Sequence, residues 1–217
     1  MNAVGNLPDL RLGISGCVSC PLHEGRTNAV PGDGPADAEV VFIGEAPGFY
    51  EDKQARPFVG QAGKFLDELL ESVGWTREQV FVTNVVKCRP PNNRDPLPVE
   101  LDTCESNWLK LELGLVDPKI VVTLGRFSLE RLLPDERIGR ARGKTLRWGD
   151  YTVFPIYHPA AALHQPQLRN VIKEDFQKLP GVLRSIRAPG SSSDNLDQAA
   201  ELPSQSDEPE PQQLNLF

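Results

Sequence analysis

Four short apolar runs, at residues 39–43, 80–86, 120–124 and 152–157, are rich in β-branched residues and show little polar alternation. Runs of this kind are expected of strands covered on both faces, as in a parallel sheet. Helical patterns separate them. Residues 62–73 repeat apolar side chains at helical spacing, and Thr76 with Gln79 forms a capping-box signature for a short helix. The segment 98–112 opens with Pro98, which suits a first helical turn, and 126–133 and 168–179 complete the set. The alternation predicts a three-layer α/β/α sandwich around a parallel sheet of about four strands. Residues 1–10 read as irregular, and no internal repeat is visible.

The pattern stops near residue 186. Residues 187–212 are polar, rich in Ser, Gln and Pro, and carry six acidic side chains against Arg187 alone. Such a segment buries too little apolar surface to fold and reads as a disordered acidic linker. It leads to 213–217. The expected organisation is therefore one domain at 1–186, a linker and a terminal motif. The chain totals −7, but residues 1–186 hold 24 acidic and 22 basic side chains, so the body is nearly neutral. Nucleic-acid binding stays open if the basic groups share a face. No stretch approaches a membrane span and no signal-peptide core precedes the domain, so a cytoplasmic, nucleoid-associated protein is expected.

In a sheet of this type ligands bind beyond the carboxyl ends of the strands. There the sequence places Glu45, Ala46 and Pro47 after the first strand, Asn84 in the second and His158 after the fourth, with Phe58 in a nearby loop. Taken singly these read equally as a loop carboxylate, a strand-end cap, a structural histidine and a core ring. Their joint placement is the signal. The four cysteines form a second group: Cys17-x-x-Cys20, then Cys88 and Cys104. Without a secretion signal they read as one four-thiolate metal site rather than two disulfides. One close pair with two scattered thiolates suits an iron–sulfur cluster better than zinc, which usually takes a second close pair.

These segments carry a resemblance. Cys17-x-x-Cys20, Gly44-Glu-Ala-Pro-Gly48 with Glu51-Asp52 and Pro57-Phe-Val-Gly60, Thr83-Asn-Val-Val-Lys-Cys-Arg-Pro-Pro91 and His158-Pro-Ala-Ala-Ala-Leu163 together resemble family 4 uracil-DNA glycosylases. The likeness covers roughly residues 10–183, with motifs agreeing in order and spacing. It implies a [4Fe-4S] cluster on Cys17, Cys20, Cys88 and Cys104, and hydrolysis of the N-glycosidic bond of uracil in DNA to leave an abasic site. Phe58 matches the ring that lies under the flipped base. The Asn84 amide offers the donor and acceptor that uracil needs and cytosine reverses. His158 would stabilise the developing charge on uracil O2, and Glu45 would position water below the sugar. Glu51 is the candidate for excluding thymine, and Leu163 for the wedge that enters the duplex. Lys53, Lys87, Arg89, Arg94, Arg142, Lys144 and Arg169 are candidate phosphate contacts.

A related family traps uracil through a histidine in a basic loop; residues 137–144 are basic but lack histidine. A monomeric, monofunctional enzyme that turns over is therefore expected. A zinc-holding nucleic-acid module and a glycosylase for hypoxanthine or xanthine are the alternatives. The end of the chain, with Gln213, Leu214, Leu216 and Phe217, resembles the Gln-Leu-x-Leu-Phe motif that docks bacterial polymerases and repair proteins on the β sliding clamp. The clamp is the expected protein partner.

Overall fold

The computed structural model describes residues 5–188. In chain order its helices are α1 (Leu7–Ser15), α2 (Leu22–Gly25), α3 (Phe49–Gln54), α4 (Gln61–Ser72), α5 (Pro98–Cys104), α6 (Lys110–Val116), α7 (Arg126–Leu132), α8 (Ile138–Ala141), α9 (Ala161–His164) and α10 (Leu168–Arg187). Its strands are β1 (Val40–Gly44), β2 (Phe81–Asn84), β3 (Ile120–Leu124), β4 (Leu146–Trp148) and β5 (Tyr151–Ile156). They form one sheet in the order β2-β1-β3-β5-β4. Four strands are parallel and β4 is antiparallel at the edge.

The unbroken apolar runs follow from two-sided burial. Val40 and Phe42 of β1 face a cluster with Val82, Val122, Phe154 and residues of α4 and α10. Val41 and Ile43 face the opposite cluster, with Phe81, Val121, Val153 and residues of α1 and α6. Successive side chains thus serve opposite cores. On the first face the rings of Phe42 and Phe176 stack at 5.5 Å between centroids.

The four parallel strands are as expected, and the structure extends three readings. A fifth, antiparallel strand joins the sheet: β4 and β5 form a hairpin closed by Gly149, at φ 56°, and Asp150. Its Gly-Asp pair between Trp148 and Tyr151 is a two-residue turn signal. Residues 1–10 are not wholly irregular, because Asn6 caps α1 through Asp9 N at 2.9 Å and Leu7, Leu10 and Ile14 bury one face. Finally, α10 runs through Pro180 to Arg187, where Leu183 continues the buried stripe. α10 thus ends at Arg187, the first residue of the expected linker, and residues 189–217 lie outside the described region.

Between α5 and α6 the chain stays helical but widens into a π segment, Glu105–Leu109, directly after Cys104. Such bulges re-aim side chains and are frequent at functional sites. Beneath the sheet, α6 sends Glu112 to a fully buried ion pair with Lys87 at 2.5 Å, both side chains at most 2% exposed. Glu112 also accepts from Thr83 Oγ1 at 2.7 Å and Gly32 N at 2.8 Å. Lys87 Nζ donates further to Thr83 Oγ1 and to Asn84 O, each at 2.6 Å. A buried charge is tolerable only with its partner. Glu112→Leu should therefore cost about 3–5 kcal/mol in denaturant unfolding, and Lys87→Met added to it should recover most of that. Equal stability of the single variant and the wild type would contradict the pairing.

Candidate active site and cysteine group

Two of the candidate site residues, Glu45 and Asn84, lie where β1 and β2 leave the sheet. Gly44 pairs with Asn84 in register. The pairing continues past the strand ends, with Val85 N donating to Gly44 O at 3.0 Å and Val86 N to Glu45 O at 2.9 Å. Glu45 is thereby fixed one residue beyond the Gly44–Asn84 pair. Asn84 is buried. A β-carbon on Gly44 would stand 2.4 Å from Asn84 Oδ1 and 2.6 Å from Phe58 Cζ, so both groups close over a position that only glycine can fill.

Phe58 is held in the left-handed region, at φ 55°, a costly conformation for an aromatic residue. Its surroundings impose it. Arg77 donates to Phe58 O at 2.7 Å, and α4 passes so close at Gly63 that a β-carbon there would overlap Phe58 O. Glu51 Oε1 accepts from Val59 N at 2.9 Å and Gly60 N at 2.7 Å. The Glu51 carboxylate thus pins the loop that carries the ring. Ala46 is half-buried and Pro47 buried in the adjoining loop.

His158 follows β5 and stacks on Phe58, with ring centroids 5.7 Å apart and planes 29° apart. Ala160 N donates to its Nδ1 at 3.1 Å. A neutral imidazole that accepts at Nδ1 carries its proton on Nε2 and presents a donor there. Neutrality is secured by burial, which lowers the His158 pKa to about 4. Burial acts oppositely on Glu45, raising its pKa to about 8; Asp95 adds to the rise and Arg126 opposes it. Asp95 and Arg126 pair at 2.7 Å. Sequence reasoning missed both. Arg126 had a usable signal, since it follows Gly125 at the carboxyl end of β3, but Asp95 had none.

The four cysteines are free, Cys88 and Cys104 buried and Cys17 and Cys20 half-buried. The sulfurs feel one another: Cys17 and Cys20 act on Cys88, and Cys20 and Cys88 act on Cys104. Three accept from nearby N–H groups, Cys88 from Arg26 at 3.0 Å, Cys104 from Lys87 N at 3.2 Å and Cys17 from Trp108 Nε1 at 3.2 Å. Burial pushes the Cys104 thiol up to about 12. Among the described residues no group of three or more His, Cys, Asp or Glu side chains is arranged to hold a metal ion as it stands. Arg26 and Trp108 were not foreseen, because their partners lie 62 and 91 residues away.

Of the candidate DNA contacts, Leu163 is exposed on α9, at 44%. Arg89 is half-buried and donates to Asn93 Oδ1 at 2.5 Å. Arg169 pairs with Glu68 and lies over the Phe65 ring. Lys87 is corrected: its ammonium is sealed under the sheet and cannot reach a phosphate. The clamp-motif residues Gln213, Leu214, Leu216 and Phe217 lie outside the described region.

Residues 31–179 match the family description "Uracil DNA glycosylase superfamily". A type-4 uracil-DNA glycosylase of Sulfurisphaera tokodaii is 47% identical over 184 residues, covering 80% of this chain and 83% of the relative. This chain belongs to the type-4 uracil-DNA glycosylases. A relative of the same name from Archaeoglobus fulgidus is 47% identical over 80% of this chain and 92% of its own length. Another, from Thermotoga maritima, is 40% identical over 79% and 91%. A type-5 enzyme of Thermus thermophilus aligns over less, 38% identical across 48% of this chain. No described helix is long and apolar enough to cross a membrane.

The close approach of Asn84 and Phe58 to Gly44 can be tested directly. Gly44→Ala should abolish most glycosylase activity, because its methyl displaces Asn84 and Phe58, while costing about 1–3 kcal/mol of stability as overpacking does. Unchanged activity in a folded Gly44→Ala protein would show that these two side chains need not meet there.

Proposed function

We propose that this protein removes uracil from DNA by hydrolysing the N-glycosidic bond, leaving an abasic site and free uracil. The observation that carries this reading is that the Asn84 carboxamide and the Phe58 ring meet over Gly44, with the His158 imidazole stacked on that ring and Glu45 next to Gly44 in the chain. The flipped base lies on Phe58. Asn84 pairs with its O4 and N3–H edge, a pattern that cytosine does not offer. As the bond breaks, negative charge gathers on uracil O2 and positive charge on the sugar. The Nε2–H of His158 donates to O2. A neutral donor suits this step, because an imidazolium in this enclosed position would be costly before the charge appears. Glu45, as the anion, orients water and offsets the charge of the sugar. Glu51 acts through the 59–60 backbone that it holds, setting the wall near the base where thymine carries its methyl.

The cysteine group fits a four-thiolate cofactor: four unpaired sulfurs come from three separate stretches, and N–H donors meet three of them. Donors of this kind stabilise coordinated thiolates. We assign Cys17, Cys20, Cys88 and Cys104 as ligands of a [4Fe-4S] cluster, which when bound supplies iron–thiolate links joining the α1–α2 connection to the end of β2 and to α5. Purified protein should be brown, with about four irons per chain. A colourless, fully active protein with one zinc per chain would overturn the assignment.

Single-turnover kinetics test the chemistry. His158→Ala should slow excision by about 100-fold or more and leave DNA affinity nearly intact, since the hydrogen bond strengthens as charge develops. The wild-type rate should rise with pH up to about 8, as Glu45 becomes ionised. Asp95→Asn should move that rise to lower pH, because it removes a charge that holds the proton on Glu45. An unchanged rate in His158→Ala, or a profile that Asp95→Asn leaves in place, would remove these roles.

A further inference from the structure

The loop that carries Glu45 runs directly into two exposed aromatic rings. Phe49 and Tyr50, the first residues of α3, are 44% and 56% exposed, whereas every other described phenylalanine is buried or half-buried. The two rings meet edge-on, 5.4 Å apart at 83°. Two cations gather on Phe49: Lys53 Nζ lies 4.5 Å from its centroid and the Arg89 guanidinium 5.1 Å. Tyr50 also leans on the Phe58 loop, with Cδ2 3.6 Å from where a β-carbon on Gly60 would stand. The patch therefore joins three segments that frame the pocket: the 45–48 loop, the 58–60 loop and the stretch after β2.

Nothing among the described residues buries these rings, and exposed aromatics in a group mark interaction surfaces. Their setting selects the partner. Flat rings beside two cations match a nucleic-acid strand, whose bases offer faces for stacking and whose phosphates offer charge. A duplex keeps its base faces stacked on one another, so a ring outside it finds none. An unpaired strand presents them. We propose, on the glycosylase reading above, that Tyr50, braced by Phe49, is a stacking platform for an unpaired nucleobase flanking the target nucleotide. Lys53 and Arg89 take the adjoining phosphates. Excision from an unpaired strand therefore depends on these rings more than excision from a duplex does.

The test uses the full chain with Phe49→Ala/Tyr50→Ala and, as the conservative change, Tyr50→Trp. Excision is measured on one uracil oligonucleotide, alone and annealed to its complement. Binding of a fluorescent uracil-free single strand is followed by anisotropy. The double alanine variant should lower the single-strand-to-duplex ratio of kcat/KM about tenfold and weaken binding of the uracil-free strand by a similar factor, in line with the stacking of one base. Tyr50→Trp should retain both. An unchanged ratio with weaker excision on both substrates would reassign the rings to duplex contacts and overturn the proposal. So would unchanged binding and excision throughout, which would leave the patch to a protein partner. Because the binding arm contains no uracil, failure of the platform is distinguished from failure of the glycosylase reading, which would appear as no excision from either substrate by wild-type protein.

Discussion

The parallel pairing of β1 with β2, carried past the strand ends, is the constraint on which the site depends. It sets Gly44 opposite Asn84 and ties Glu45 to Val86. Residues alternate faces along a strand, so a slip of one position would turn Asn84 away from the pocket and place a core valine there. The same pairing brings Lys87 and Cys88 to fixed places immediately beyond. The residues proposed to recognise the base and the cysteine group are thus consecutive products of one register.

Lys87 links these two regions. Its backbone N–H meets Cys104 Sγ while its ammonium holds Asn84 O and Glu112. A charge this deeply buried permits few alternative arrangements, because moving any partner leaves another unsatisfied. Rigidity here is useful. In the role we propose for it, the Asn84 side-chain amide must keep its orientation, and Asn84 has its backbone carbonyl anchored by Lys87 and its side chain confined by Gly44 and Phe58. The opposed pKa shifts of Glu45 and His158 arise from the same enclosure, which makes the anion of one and the cation of the other costly.

Much of this was legible in the chain. Continuous β-branched runs identified the four parallel strands, since two-sided burial leaves no polar alternation. The motif residues Glu45, Asn84 and His158 fell at strand ends, where the parallel topology brings them to one edge, and Phe58 fell in the loop before α4. The missing parts have physical causes. β4 has only three residues, at the edge, too short to establish a period. α1 was hidden by its polar face, although Asn6 and the Leu7, Leu10 and Ile14 spacing announced it. Lys87 looked like a DNA contact because a lysine amid a basic motif gives no sign of burial; only the arrival of Glu112 from α6 reveals it. Asp95, Arg26 and Trp108 act through long-range contacts that spacing cannot foretell.

In the reading proposed above, Asn84, Phe58 and the Glu51-held loop are shaped for uracil. The most direct measurement is release of base from otherwise identical oligonucleotides carrying uracil, thymine, hypoxanthine or xanthine, read as alkali-labile abasic sites. The arrangement of Asn84, Phe58 and the Glu51-held loop predicts rapid cleavage at uracil and none at thymine. Faster cleavage at hypoxanthine or xanthine than at uracil, or no cleavage at uracil, would contradict it.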